Sequence, residues 1–368
     1  PPDHTQPPTN TSPTLSPTEA PVTLAPSTLR RRRAWAVAGV AALALSFAGT
    51  GQASAAGTPT SAQPAAVTAS SAADLPKHAV TGYWQNFNNG ATVQKLSDVP
   101  ADYDIIAVAF ADATTTPGAV AFNLDSAGLG GYTVDQFKAD IAAKQAAGKK
   151  VIISVGGQNG TISVNDDSSA QAFADSVYGL MQEYGFDGVD IDLENGINAT
   201  YMTKALRSLS DKAGPSLVIT MAPQTIDMQT PSAGYFQTAL NIKDILTVVN
   251  TQYYNSGTML GCDGQVYAQG SVDFLTALAC IQLENGLAPS QVGLGVPASP
   301  SAAGSGYVSP SVVNDALDCL TQGTNCGSFK PSKTYPDLRG AMTWSTNWDA
   351  SAGNTWVNEV GPHVHALP

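Results

Sequence analysis

Apolar and polar positions alternate strictly over residues 189–194: Val189, Ile191 and Leu193 leave one face, and Asp190, Asp192 and Glu194 leave the other. A period of two is that of a β-strand, whose successive side chains project from opposite sides of the pleat. Apolar runs at 79–84, 103–111, 150–155, 185–193, 217–222, 245–254, 292–296 and 339–344 read as eight strands. Helical patterns lie between them at 134–147, 169–184, 202–213, 272–284 and 311–321. Eight strands alternating with helices over about 290 residues predict a (β/α)8 TIM barrel, a single domain at 77–368. A doubly wound sheet is the alternative, but no Gly-rich dinucleotide turn follows the first strand. In such a barrel, chemistry sits at the C-terminal ends of the strands.

The first 76 residues carry no such pattern. Residues 1–29 are rich in Pro and Thr, do not begin with Met, and read as a disordered or upstream extension. Arg30, Arg31, Arg32 and Arg33 then precede an apolar run, and Ala53-Ser54-Ala55 has the small-x-small pattern of a cleavage site. Residues 30–55 therefore read as a secretory signal peptide, with a twin-arginine variant fitting less well. A membrane span would need a longer apolar run, of about 20 residues. Residues 56–76, heavy in Ala, Ser, Thr and Pro, read as a flexible linker.

Composition narrows the partners. The chain has 17 Lys+Arg against 29 Asp+Glu, and the four arginines at 30–33 lie outside the expected mature protein. Beyond residue 55 an acidic body remains, which repels nucleic acid and anionic membranes and favours neutral or cationic partners. Cys262, Cys280, Cys319 and Cys326 match no zinc spacing; an even number in an exported chain reads as disulfides. Three connectivities are open, and the local pairs Cys262–Cys280 and Cys319–Cys326 are favoured because each closes a short loop. No metal or cofactor constellation is visible, and His78, His363 and His365 lie away from the strand ends.

On a strand, i and i+2 are roughly 6.6 Å apart, so the three carboxyl groups form one row. Burial and like charge push such carboxyls upward in pKa, which destabilises the fold but can make a proton donor that works near neutral pH. A solvated edge strand would also carry acidic residues, but Gly188 and the apolar flanks suit an interior strand. A calcium loop needs turn-forming ligand spacing rather than alternation.

Asp187, Asp190, Asp192 and Glu194, in the order DxxDxDxE, resemble the signature of glycoside hydrolase family 18, the chitinases and their relatives. The resemblance covers roughly residues 79–360. It implies Glu194 as acid and base, Asp192 as the group that orients and stabilises the intermediate, Asp190 sharing a proton with Asp192, and Asp187 as structural. Ser154, Gly156 and Gly157 match the family's SxGG motif, with Ser154 placed to bond Asp190. Tyr83 resembles the tyrosine that steadies the innermost aspartate. Tyr254 is implied to contact the substrate acetamido group, with Met221, Gln252 and Asn255 around the same pocket and Trp344 under the sugar at the cleaved position. Trp84 and Trp348 are further candidates for the stacking surface.

A retaining glycosidase ordinarily sets a nucleophilic carboxylate across the bond from its acid, about 5 Å away. Here the carboxyls share one strand, and the family instead uses the substrate's own acetamide as nucleophile. Only about 38 residues, 301–338, separate the seventh and eighth strands, where many members insert an α+β domain. An open cleft and internal cleavage are expected. The resemblance thus implies a secreted, monomeric chitinase acting on chitin or its oligosaccharides. An endo-β-N-acetylglucosaminidase acting on N-glycans and a non-catalytic chitin-binding relative are the other readings.

Overall fold

The chain's computed structural model describes residues 75–368; residues 1–29, the expected leader at 30–55 and nearly all of the linker at 56–76 lie outside that range. In chain order the first elements are β1 (Ala79–Gln85), β2 (Ile105–Ala113), β3 (Val120–Ala121), α1 (Val134–Ala146), β4 (Lys150–Gly157), α2 (Asp167–Tyr184) and β5 (Gly188–Leu193). There follow α3 (Ala199–Ala213), β6 (Val218–Met221), α4 (Gly234–Asn241), β7 (Val248–Gln252), β8 (Thr258–Leu260) and β9 (Val266–Ala268). The chain closes with α5 (Val272–Glu284), β10 (Val292–Pro297), α6 (Pro310–Gln322), β11 (Gly340–Trp344), α7 (Thr346–Ser351) and α8 (Thr355–His365).

All eight apolar runs are strands, and they pair in the order β1-β11-β10-β7-β6-β5-β4-β2, with β1 against β2 closing the barrel. The strand period sorts their side chains into two layers. Ile105, Ala107 and Ala109 of β2 join Tyr83, Ile152, Val218, Val248 and Met342 inside the barrel. Ile106 and Val108 face the layer between barrel and helices. The same parity corrects two expectations. Tyr83 points inward, so Trp84 points outward: it is fully buried, stacks on Phe137 of α1 at 5.5 Å, and takes no part in the cleft. Thr220 points inward to Asp190, so Met221 turns to the helix layer and is not a pocket residue.

The barrel departs from strict alternation between β1 and β2, where a 3-10 turn at Leu96–Asp98 stands instead of a helix. Both local disulfides are formed: Cys262–Cys280 clips the β8–β9 hairpin to α5, and Cys319–Cys326 closes the end of α6. Loops of this size gain roughly 2–4 kcal/mol from closure. At the N-terminal end of the barrel, buried Asp104 accepts from Val80 N–H at 2.9 Å, Lys149 Nζ at 3.0 Å and His365 Nε2 at 2.7 Å. His363 bonds Asp318, and His78 bonds the carbonyls of Leu338 and Pro368, so these histidines secure the C-terminal segment. No helix among the described residues is long and apolar enough to cross a membrane.

Candidate active site

The four acidic residues of the β5 stretch occupy four environments. Asp187, just before β5, accepts from Val151 N–H at 2.8 Å and Gln145 Nε2 at 2.9 Å, and so ties β4 and α1 to the strand entry. Asp190 is fully buried, its carboxylate taken by three hydroxyls: Tyr83 at 2.7 Å, Ser154 at 2.6 Å and Thr220 at 2.6 Å. Asp192 is 5% exposed and accepts from Gln252 Nε2 at 2.9 Å. Glu194 follows the last residue of β5 and is exposed.

Electrostatics follow from burial without cations. None of the salt bridges among the described residues involves Asp190, Asp192 or Glu194. Burial raises Asp190, while its three hydroxyl donors pull the other way. Asp192 is pushed well above the usual carboxylate range by burial, then by the charges of Asp190 and Glu194. Glu194, exposed at the cleft surface but partly desolvated by the cleft wall, is raised by that desolvation and then by Asp227, which lies in the turn after β6. The row therefore holds protons at a pH where free carboxyls have lost them.

Above the row opens a cleft of about 1210 Å³, larger than the roughly 300–1,000 Å³ of ordinary small-molecule pockets. Asp192, Glu194, Gln252, Tyr254, Asn255, Gly156, Trp344 and Trp348 line it, together with Asp112 and Asp125, and there is no Lys, Arg or His among the lining residues. Trp344 is half-buried and stacks on Phe110 at 5.7 Å and 10°, with Phe87 at 6.4 Å, giving an aromatic floor. Such faces suit the C–H face of a sugar ring. Gly156 and Gly157 adopt φ of +111° and +74°, and a side chain there would run into Asp192 O at 2.4 Å or the Phe110 ring at 2.5 Å. The glycine pair is what lets β4 pass beside both the acid row and the aromatic floor.

A family model for the glycosyl hydrolases family 18 matches residues 79–363. The chain belongs to that family. It is 36% identical to chitinase D of Niallia circulans, over 78% of this chain and 61% of that protein. With exochitinase 1 of Streptomyces olivaceoviridis it shares 36% identity over 78% of this chain and 56% of the relative. A crystal structure from Streptomyces coelicolor, provisionally named chitinase A, superposes with a TM-score of 0.79 at 84% identity, over 79% of this chain and 99% of that one. This chain spans about three fifths of the length of the curated relatives it matches.

Within this family 18 barrel, the expected site residues divide between the cleft surface and the layer beneath it. Tyr83 is 2% exposed and lies beneath the floor, bonded to Asp190, so it is no substrate contact. Asn255 is exposed in the left-handed region at φ 50°, and its Oδ1 accepts from Ser305 N–H at 2.9 Å, holding the loop after β10. Tyr254 is pushed well above its ordinary pKa by burial and by Asp192, Glu194 and Asp190, so its hydroxyl stays a donor. Phe87, Phe110, Asp112, Asp125 and Ile226 are cleft residues that the sequence reading missed. Phe110 and Asp112 belong to the C-terminal part of β2, while Phe87, Asp125 and Ile226 lie in the segments that follow β1, β3 and β6. Cys262, Cys280 and Glu284 approach one another closely enough for a metal, but both sulfurs are spent in the disulfide.

Proposed function

We propose that the protein is a secreted, monomeric chitinase that cleaves β-1,4 bonds between N-acetylglucosamine units with retention, using the substrate's acetamide as nucleophile. The observation that carries this reading is the pairing of buried Asp192 with exposed Glu194 at the foot of an aromatic-floored cleft. Asp227, whose charge acts on Glu194, is not a cleft residue; its Oδ2 accepts from Gln224 N–H in its own turn at 3.1 Å. It is poorly placed to serve as a nucleophile across the bond.

On this reading Glu194, protonated, donates to the leaving glycosidic oxygen as that bond to the anomeric carbon breaks. The acetamide oxygen of the sugar over Trp344 bonds to the same carbon, giving a cationic oxazoline-like ring. Asp192 orients the acetamide N–H and balances the positive charge, which is worth most in a water-poor site. Tyr254 donates to the acetamide group. Glu194, now ionised, takes a proton from water as the water opens the ring, and so regains its starting form. Asp190 acts through Asp192 by sharing its proton, so that Asp192 is ionised and Asp190 holds the proton when the cation forms over the row.

The wall after β10 is built of Ser301, Ala302, Ala303 and Gly304, all small, which supports an open groove and internal cleavage. Secretion is supported by the two disulfides, which suit an oxidising compartment. The test is hydrolysis of soluble chitin oligomers beside an N-glycosylated protein and a glucose-based oligomer. Only the first should be cut, and a long oligomer should be cut at internal bonds. Release of glycans from the glycoprotein, or ready cleavage of an oligomer without N-acetyl groups, contradicts the reading; stepwise loss of end units contradicts internal cleavage.

A further inference from the structure

The catalytic strand outruns its neighbour. β6 ends at Met221, and the last rung between the two is Ala222 N–H to Ile191 O at 2.9 Å. β5 continues for Asp192 and Leu193, which stay paired with Gly156 and Gly157 of β4 on the other side. By the two-residue period, the N–H and C=O of Leu193 face the same way as those of Ile191, toward the side that β6 has left. Leu193 is 2% exposed, and an unsatisfied buried N–H costs about 1–3 kcal/mol.

One side-chain atom fills both vacant places on the ladder. The Tyr235 hydroxyl, on the first turn of α4, accepts from Leu193 N–H at 2.6 Å and donates toward Leu193 O at 3.1 Å, with Ile191 O at 3.5 Å. Gly234 lets the helix come this close, since a Cβ there would lie 2.4 Å from Ile197 O in the loop that follows Glu194. Burial and the nearby Asp192 hold the Tyr235 hydroxyl well above its ordinary pKa, so it remains a donor. Packing alone would be served by phenylalanine.

We propose that Tyr235 is a positioning residue for Glu194, its hydroxyl standing in for the missing strand and setting the peptide from which the acid projects. Glu194 is the first residue beyond that peptide and has no hydrogen-bonded partner of its own among the described residues. Its direction is therefore set by the backbone behind it. Misplacing a reacting group by about 1 Å can cost on the order of 10²-fold in rate.

This inference rests on Glu194 being the acid, and the experiment separates the two. For the wild type, Tyr235→Phe and Glu194→Gln, kcat/KM is measured on a soluble chitin oligomer and on an aryl chitobioside whose leaving group departs without protonation. A misplaced acid harms only the substrate that needs its proton. Tyr235→Phe should lose at least about tenfold on the oligomer and less than about threefold on the aryl substrate. Both rates come from one preparation, so any unfolded fraction cancels in the ratio. Equal losses on the two substrates, or none on either, overturn the positioning role. Glu194→Gln should show the same selective loss more strongly. If it does not, the acid assignment itself is wrong, whereas a selective loss in Glu194→Gln alone removes only the role of Tyr235.

Discussion

Asp104 and Asp192 are both buried aspartates, 4% and 5% exposed, one near each end of the barrel. Asp104, at the N-terminal end, is met by a backbone N–H, an ammonium group and an imidazole. Asp192, at the C-terminal end, has an amide for a partner and two carboxyls as its charged neighbours. The same residue type therefore does opposite things. At one end the charge is neutralised and ties β1, β2 and α8 together. At the other no cation meets it, which raises the carboxyl's pKa at a cost to folding and favours any positive charge arriving over it. The difference shows that the row is not arranged for stability.

The largest expected effect comes from removing the proposed proton donor. Glu194→Gln should lower kcat on chitin oligomers by about 10²–10⁴-fold, as for other general acid–base losses. Calorimetry should find oligomer binding retained, since Trp344 and Tyr254 remain; lost binding would assign Glu194 to affinity instead. Asp192→Asn should lower the rate by about 10²-fold, the scale of losing one preorganised electrostatic partner. The same variant should melt higher than wild type near neutral pH. The native Asp192 keeps its proton to higher pH than the unfolded chain does, so the native state binds more protons, and stability falls as pH rises from the ordinary carboxylate range through the raised pKa. Asn escapes that loss, and the gap in melting temperature should close on acidification.

Asp104→Asn sharpens the contrast from the other end. It should cost about 1–3 kcal/mol by leaving its donors poorly matched, and leave the rate per folded molecule unchanged. Denaturant melts with active-site titration read both quantities; a large fall in specific rate would mean that the two ends are coupled. Asp227→Asn should have the smallest effect. With a negative charge near Glu194 removed, and Asp192 and Tyr254 still facing it, the Glu194 pKa drops. The proposed mechanism requires Glu194 protonated, so the basic limb of kcat/KM should move to lower pH. A limb that stays put or moves upward would remove Asp227 from the electrostatics of the site.

The barrel was legible in the sequence because its strands are long apolar runs and its acid row alternates on one of them. Parity is what the reading underused: with Tyr83 facing Asp190, Trp84 had to face the helices, and with Thr220 facing Asp190, Met221 had to do the same. Helix α4 was missed because eight residues, Gly234–Asn241, hold barely two turns of pattern. Tyr235 within it gives no signal, since its role depends on β6 stopping two residues short of β5. Phe87 and Phe110 joined Trp344 in the cleft floor from separate strand ends, a contact no local pattern announces.

The central claim is that the Asp192–Glu194 pair works with the substrate's own acetamide, and the anomer of the first product reports on it directly. Proton NMR of a chitin oligomer hydrolysate, recorded before mutarotation, should show the new reducing end as the β anomer, because two displacements at one carbon restore its configuration. An initial α product would mean direct attack by water and would contradict the account.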